Sequence, residues 1–217
     1  MKDHCWLMQY VESFNFNYPF LYSYRRCPYA MRARLALHIS DINYYIYEIS
    51  LKDKPEHMIS ISPKGTVPVL LIDESIKMDE SLEIMLWAFQ QAQIEDKLIP
   101  KKNRKEIFEL IQINDSFFKE NLDFYKYAQS DIDKNKAFNQ CMTFIKTLDN
   151  VIEKNNGFIL SKTLSLADYA IFPFIRQFVN VDQNKFKDTN QKNIEDWYSI
   201  IHESSEFKYI MRKPNLS

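Results

Sequence analysis

The chain has 217 residues, of which 46% are hydrophobic and 15% aromatic, enough to bury one large core or two smaller ones. Lysine and arginine together number 28 against 29 for aspartate and glutamate, so the net charge of −1 disfavours nucleic acid or an anionic membrane as a partner. Only two glycines occur, Gly65 and Gly157, which excludes a glycine-rich phosphate-binding loop.

The cysteines and histidines favour a reducing compartment and give no metal signature. Cys5, Cys27 and Cys141 are odd in number and widely spaced, unlike the cysteines of a disulfide-stapled secreted domain, which predicts a cytoplasmic protein. The histidines lack carboxylate or thiol neighbours at ligand spacing, so no metal is expected. No apolar run approaches the roughly 20 residues that a membrane helix needs, and the first residues do not resemble a signal peptide.

The first part of the chain alternates between strand and helix patterns. Residues 1–18 carry no clear period, and we expect this N-terminal extension to lie outside the core. The strand pattern, rich in aromatic and β-branched residues, begins at Phe20. The predicted elements are strand 20–24, helix 28–39, strand 42–49, helix 56–61, strand 67–72, strand 76–78 and helix 81–92. Their order is βαβαββα.

The rest of the chain reads as helical. Apolar residues at helical spacing predict one long helix over 107–125 and another over 138–152. Ser165, followed three residues later by Asp168, predicts a capping box at a helix start. Mixed elements followed by helices alone predict an α/β domain joined to an all-helical domain. The predicted boundaries are 1–18 for the extension, 19–94 for the α/β domain, 95–104 for a charged linker and 105–217 for the helical domain.

Cys27 has the context of a reactive cysteine. It lies between a predicted strand and a predicted helix, and Pro28 suits the first helical position because its missing N–H would be unbonded there anyway. Unpaired backbone N–H groups and the helix dipole can lower the pKa of a cysteine at such a position from about 8.5 into the range of roughly 3.5 to 7.5. Any nearby arginine that turns toward the sulfur would favour the anion further. The arginines in this stretch are Arg25, Arg26, Arg32 and Arg34. A buried structural cysteine is the alternative.

These elements and motifs resemble the glutathione transferase superfamily, and most closely its omega class. Arg26-Cys27-Pro28-Tyr29-Ala30 is similar to the omega-class Cys-Pro-Phe-Ala motif, whose cysteine forms a mixed disulfide with glutathione. The resemblance covers about residues 20–217 and implies a thioredoxin-like N-terminal domain followed by an all-helical C-terminal domain. Since Ala30 stands where dithiol glutaredoxins have their second cysteine, a second glutathione would have to resolve the adduct.

Further residues resemble the family's glutathione-binding set. Val67-Pro68 is similar to the family's valine and cis proline, where the main chain of the valine pairs with the cysteinyl amide of glutathione. Glu80-Ser81 resembles the pair that holds the γ-glutamyl group, and Lys54 matches a lysine that reaches a glutathione carboxylate. The alternatives are an ordinary strand opening on proline, simple N-capping by Ser81, and a solvated surface charge at Lys54.

The resemblance also places an acceptor pocket between the two domains, lined partly by the first long helix. Phe117, Asn121 and Tyr125 recur on one face of that helix. Tyr125 is the better pocket candidate because its hydroxyl needs water or a partner, whereas core packing is the alternative for Phe117. Homodimers are common in the superfamily, so the resemblance implies a homodimer as one assembly.

The sequence therefore predicts a glutathione-dependent thiol transferase or reductase. Cys27 is the monothiol nucleophile, glutathione is the cosubstrate, and the acceptor is a small molecule or a protein thiol. Dehydroascorbate is an acceptor by family analogy only. One alternative is a conjugating transferase acting on apolar electrophiles, with a hydroxyl from Tyr22, Ser23 or Tyr24 in place of the thiol. The other alternative is a non-catalytic interaction protein of the same fold.

Overall fold

The computed structural model describes residues 5–6, 17–73 and 75–213. The chain divides into two compact units, the first running up to Glu95 and resuming at Ser205, the second spanning Asp96–Ser204. Within the described ranges, none of the helices is both long and apolar enough to cross a membrane.

A five-stranded sheet forms the centre of the first unit. Its strands are β1 (Cys5–Trp6), β2 (Phe20–Ser23), β3 (Tyr45–Glu48), β4 (Val69–Leu71) and β5 (Lys77–Met78), in the spatial order β1-β3-β2-β4-β5. Strand β3 pairs parallel with β1 and β2, whereas β4 pairs antiparallel with β2 and β5. The register sets Tyr22 opposite Val69 and Ser23 opposite Glu48, so the end of β2 lies between the end of β3 and the start of β4.

Strand β1 adds an edge strand to the four that the sequence predicted. Cys5 is opposite Tyr45 and Trp6 is opposite Ile46 in the parallel ladder. The prediction placed residues 1–18 outside the core, because two residues are too few to carry a strand period. The other residues of that segment up to 16 lie outside the described residues.

The helices are numbered along the chain, and the first three alternate with the strands in the predicted order βαβαββα. They are α1 (Pro28–Ile39), α2 (Glu56–Ile61), α3 (Ser81–Gln91), α4 (Glu95–Leu98), α5 (Arg104–Ile113), α6 (Lys119–Tyr127), α7 (Asp131–Lys154), α8 (Leu166–Val179), α9 (Gln183–Lys187), α10 (Lys192–His202) and α11 (Ser205–Ile210). A thioredoxin-like sheet with helices followed by a helical region confirms the predicted fold class. The stretch predicted as a linker contains α4 and a 3₁₀ turn at Lys101–Asn103.

In the first unit, α1 packs against both α3 and α11. Almost the whole of α1 is buried, from Pro28 to Leu37 apart from a half-buried Tyr29. Helix α11 follows α10 directly in the chain but clusters with the first unit, which differs from the predicted assignment of all of 105–217 to the helical domain. The local sequence pattern does not reveal this because the contacts between α1 and α11 join distant parts of the chain.

In the second unit, α5 and α6 are joined without a break by a π-helical segment, Asn114–Phe118. Together they form the long helix that the sequence predicted, and α7 is the second long helix. Aromatic side chains fill the interior beside them. Buried rings in this aromatic cluster include Phe118, Tyr125, Phe138, Phe144 and Phe178.

The predicted capping box at the start of α8 is present and is fully buried. Asp168 accepts hydrogen bonds from the backbone N–H of Ser165 at 2.7 Å, from that of Ile159 at 2.9 Å, and from the indole N–H of Trp197 at 2.8 Å. Burial raises the pKa of Asp168 to about 6, against the effect of these donors. One carboxylate thus joins a loop, the start of α8 and the side of α10.

Replacing Asp168 by alanine should therefore destabilise the protein strongly. The change leaves several buried donors without an acceptor, and we expect the free energy of unfolding to fall by about 3 kcal/mol. Asp133→Ala is the matched control, because Asp133 is also in the first turn of a helix (α7) and pairs with the cap residue Ser130, but it is exposed. Its loss should cost under about 0.5 kcal/mol. Urea unfolding measures both, and equal losses would contradict this account of Asp168.

Candidate active site around Cys27

Cys27 occupies the N-cap position of α1, where the sequence predicted it. After β2 ends, the chain turns, with the Cys27 N–H donating to the Tyr24 carbonyl at 2.9 Å. Pro28 is the first helical residue, and the Met31 N–H donates to the Cys27 carbonyl at 2.9 Å. The Cys27 side chain is half-buried and is a thiol rather than half of a disulfide. A partly exposed sulfur at a helix start is accessible to a reagent.

The Cys27 sulfur lies beside Val67, which the resemblance assigns to glutathione binding. The thiol donates to the Val67 carbonyl at 3.6 Å, and the Val67–Pro68 peptide bond is cis, as the resemblance implied. Both residues belong to one apolar cluster with Tyr22 and Val69. The pairing of β2 with β4 causes this proximity, because it sets the end of one strand beside the start of the other.

Ser81 begins α3, and Glu80 holds the N-cap position with an extended backbone. Simple N-capping by Ser81, the alternative stated above, is therefore wrong. The Ser81 side chain is buried and accepts a hydrogen bond from Arg32 Nη1 at 3.4 Å. Since Arg32 is on α1, this contact links the start of α3 to the helix that Cys27 begins. The first turn of α3 offers backbone N–H groups that suit a carboxylate.

Lys64 is a charged residue at this site that the sequence analysis did not select. Its Nζ lies 2.5 Å from Glu80 Oε1 and 3.1 Å from Asp79 Oδ1. These bonds raise the pKa of Lys64, mainly through Glu80 and then through Asp79. Ser62 Oγ also donates to Asp79, at 2.7 Å. The carboxylate expected to hold the glutathione ammonium group therefore already pairs with a cation, and the ammonium must share or displace it.

Lys54 is exposed and approaches the turn that precedes Val67. Its Nζ is 3.6 Å from the position that a Cβ would take on Gly65. Gly65 has a φ of +61°, in the left-handed region that favours glycine, and its N–H donates to the Ser62 carbonyl at 2.9 Å. The Lys54 side chain therefore lies beside the turn that Gly65 permits.

Contacts within the first unit thus connect all the predicted site residues. Cys27 contacts Val67, which precedes Pro68, while Arg32 links α1 to Ser81. Lys64 forms an ion pair with Glu80, and Lys54 lies beside the turn at the adjacent Gly65. The named residues are Cys27, Lys54, Val67, Pro68, Glu80 and Ser81. Residues from the start of α1, the segment before α2, the turn before β4 and the start of α3 are therefore linked to one another, and Val67 touches the thiol directly.

Tyr125 lies in the core of the second unit, and the pocket role expected for it is not supported. It is 1% exposed and packs against Phe138 and Phe178, with ring centroids 5.4 and 5.3 Å away. Burial raises the pKa of its hydroxyl to about 12. By contrast, Phe117 is 38% exposed and Asn121 is half-buried. The prediction assumed a uniform helical period, whereas the π-helical segment containing Phe117 changes the register before Tyr125.

Three features of this chain are typical of the glutathione transferase class. They are a sheet domain of thioredoxin type, a cysteine at a helix start beside a cis proline, and a following helical region. The family description "Glutathione S-transferase, N-terminal domain" matches residues 21–96, and "Glutathione S-transferase, C-terminal domain" matches residues 117–209. The chain therefore belongs to the glutathione S-transferase superfamily, and it is similar to members of the omega class.

Individual relatives agree with this assignment. Glutathione S-transferase omega-1 of Rattus norvegicus is 28% identical over 194 residues, which are 84% of this chain and 76% of the relative. Glutathione S-transferase DHAR2 of Arabidopsis thaliana is 24% identical over 148 residues, 68% of this chain and 64% of the relative. A Pseudomonas fluorescens glutathione transferase family member, solved with two glutathione molecules bound, has the same fold with a TM-score of 0.81 at 15% identity, covering 94% and 96% of the two chains.

Oxidised glutathione should form a single adduct on this protein, at Cys27. Cys141 should stay unmodified because it is fully buried in α7 and burial raises the pKa of its thiol to about 12. Cys5 should also stay unmodified, because it is not followed by proline at a helix start. Peptide mass spectrometry after treatment measures this, with Cys27→Ser as the control. An adduct on Cys141 or Cys5 in the wild type, with Cys27 unmodified, would contradict the assignment.

Proposed function

We propose that this protein is a cytoplasmic, glutathione-dependent thiol transferase in which Cys27 is the nucleophile and glutathione the cosubstrate. The observation that carries the proposal is the thiol at the N-cap of α1, 3.6 Å from the Val67 carbonyl that precedes a cis proline. A helix N-terminus favours the thiolate, which is the attacking species in thiol–disulfide exchange. The widely spaced cysteines support a reducing compartment.

The proposed cycle needs one protein sulfur and two glutathione molecules. The Cys27 thiolate attacks the glutathione sulfur of a glutathionylated acceptor, so that the Cys27–glutathione disulfide forms and the acceptor leaves as a thiolate. The thiolate of a second glutathione attacks the glutathione sulfur of this adduct, releasing oxidised glutathione and restoring the Cys27 thiolate. Because Ala30 cannot act as a resolving thiol, the second step depends on free glutathione.

Glutathione binding is assigned to the network around Cys27. The Val67 main chain pairs with the cysteinyl amide, and Pro68 fixes the course of that chain. Ser81 and the first turn of α3 hold the γ-glutamyl carboxylate, while Glu80 pairs with the ammonium group. Lys54 reaches the second carboxylate. Small mixed disulfides of glutathione are the acceptors that this cycle uses and the ones to test first. Dehydroascorbate is an acceptor by family analogy only, and because it contains no disulfide its reduction would need a different first step.

The conjugating alternative needs a hydroxyl at the sulfur of bound glutathione, and the three candidates are poorly suited to supply it. Tyr22 is buried, and its hydroxyl is hydrogen-bonded to His57 Nδ1 at 2.8 Å. Ser23 is fully buried. Tyr24 accepts hydrogen bonds from Arg26 at 2.6 and 3.0 Å. The contacts of these hydroxyl groups favour thiol transfer over conjugation as the function.

Cys27→Ser should abolish thiol transfer while sparing glutathione binding. The hydroxyl cannot form a disulfide, and we expect the rate of deglutathionylation of a small mixed disulfide to fall by at least about 100-fold. Conjugation of an apolar electrophile such as a halogenated nitrobenzene should be retained or raised, because serine can donate a hydrogen bond to the glutathione thiolate. Cys141→Ser is the matched control. Unchanged thiol transfer in Cys27→Ser would refute the proposed function.

Glu80→Gln should weaken glutathione binding, because the amide cannot pair with the γ-glutamyl ammonium group. Removing one charged partner of this kind costs about 1.5 to 3 kcal/mol, so the Kd should rise by roughly 10- to 100-fold. Glu83→Gln is the matched control, since Glu83 is also an exposed carboxylate in the first turn of α3. Isothermal titration calorimetry measures both. No detectable binding to the wild type at millimolar glutathione would count against both enzyme functions and favour the interaction protein.

A further inference from the structure

Arg34 is a buried cation on the helix that Cys27 begins. Its side chain is 1% exposed, and burial lowers the pKa of its guanidinium. A charged group withdrawn from water is tolerated only where hydrogen bonds and nearby opposite charges compensate for its lost hydration. The partners of Arg34 therefore indicate what its charge is used for.

Those partners are backbone carbonyl groups from three places in the first unit. Arg34 Nη2 donates to the Arg25 carbonyl at 2.6 Å, and Nη1 donates to the Ile210 carbonyl at 3.0 Å. Nε donates to the Ala30 carbonyl at 3.3 Å, one turn back along α1. A guanidinium offers five N–H donors in a rigid planar fork, whereas a lysine ammonium offers three on a single nitrogen.

The Arg25 peptide unit is held from both sides. Its carbonyl accepts from Arg34, and its N–H donates to Glu48 Oε1, at the end of β3, at 2.6 Å. Arg25 stands two residues before Cys27, in the turn that leads from β2 to α1. We call Arg34 and Glu48 the turn clamp, since together they fix the backbone that carries the nucleophile.

Helix α11 is attached to the same clamp. Besides the bond from Arg34 to Ile210, Arg25 Nη1 donates to the Met211 carbonyl at 3.3 Å. The ring of Tyr209 stacks on His38 of α1, with centroids 4.3 Å apart. Two arginines that flank Cys27 therefore bind main-chain carbonyls at the end of α11.

The charge of Arg34 also acts on the thiol. The titratable groups whose charges interact with it are Tyr44 before β3, Glu48 on β3, Cys27 at the start of α1, and Arg25 in the turn. Tyr44, Glu48 and the Cys27 sulfur favour the charged form of the guanidinium, and Arg25 opposes it. Such an interaction is reciprocal, so the guanidinium favours the Cys27 thiolate, and its burial limits screening by solvent.

We propose that Arg34 is a positioning residue for Cys27, which fixes the turn before the nucleophile and supplies a buried positive charge that promotes the thiolate. This inference rests on the proposed role of Cys27 as nucleophile and deepens it. Glu48 has the opposite effect on the Cys27 thiolate, because its carboxylate partly neutralises the charge of Arg34. It nevertheless holds the same turn.

The test is the pH dependence of Cys27 alkylation by iodoacetamide, measured by peptide mass spectrometry on the full chain. Arg34→Met should move the midpoint of the alkylation profile upward by about 1 pH unit, because the thiolate loses a nearby cation. Arg34→Lys keeps the charge and should move the midpoint less, although it breaks part of the clamp. Arg26→Met is the matched control, since Arg26 is adjacent to Cys27 but exposed and screened, and its shift should be smaller than that of Arg34→Met.

Glu48→Gln separates this role from a merely structural one. The amide oxygen can still accept the Arg25 N–H, but the anion beside Arg34 is gone, so the midpoint should move downward. Loosening of the fold would move both variants in the same direction. If Arg34→Met does not fold, as judged by circular dichroism, Glu48→Gln decides the matter. An upward or absent shift in Glu48→Gln, or an unchanged midpoint in folded Arg34→Met, would overturn the proposal.

The outcome is independent of the proposed function. Alkylation requires neither glutathione nor an acceptor, so a shifted midpoint supports the effect of Arg34 on the Cys27 thiol even where Cys27→Ser retains thiol transfer and the role of Cys27 as nucleophile is refuted. Conversely, Cys27→Ser could lose thiol transfer while the alkylation midpoint of folded Arg34→Met stays unchanged. Cys27 would then remain the nucleophile, and Arg34 would have no part in promoting its thiolate.

Discussion

A guanidinium buried inside a small sheet domain needs a hydrogen-bond acceptor for each of its nitrogens, and this requirement organises the first unit. Arg34 meets it with main-chain carbonyls from the turn before α1, from α1 itself and from α11. Because these acceptors belong to the backbone, Arg34 constrains the course of the chain rather than one neighbouring side chain. The turn, the helix and the end of α11 are thereby held together around Cys27.

The second constraint is the strand order of the sheet. Strand β2 is flanked by β3 and β4, so the segments at their ends meet beside the start of α1. This brings Glu48 from one neighbour and Val67 from the other to opposite sides of the residues around Cys27. One neighbour thus supports the backbone turn, while the other presents the main chain proposed to bind glutathione. The fold supplies both before any substrate arrives.

What the sequence predicted correctly depends on short-range signals. The position of Cys27 at a helix start follows from three adjacent residues, and the capping box at Asp168 follows from four. The helical period likewise located the long helices. The fold class and the superfamily could therefore be recognised before the structure was known.

What the sequence did not predict depends on contacts between distant residues or on irregular backbone. The contact of Lys64 with Glu80 and that of Arg34 with Ile210 join residues that are distant in the sequence, so they become visible only in the folded structure. The prediction placed Tyr125 in a pocket, whereas it is buried in the core, because the π-helical segment interrupts the helical period on which the prediction rested. Strand β1 was missed because two residues cannot display a pattern.

The return of α11 to the first unit has a consequence for the order in which the protein is made. A ribosome extends the chain from the N-terminus, and Ile210 follows Arg34 by 176 positions. The sheet, α1 and the whole second unit are therefore synthesised before the buried guanidinium can obtain its last acceptor. During translation, Cys27 emerges in a domain whose supporting contacts are incomplete, and its final setting is reached only after α11 has left the exit tunnel. Cys27 is among the first parts of the fold to be made, and its surroundings are among the last to be completed.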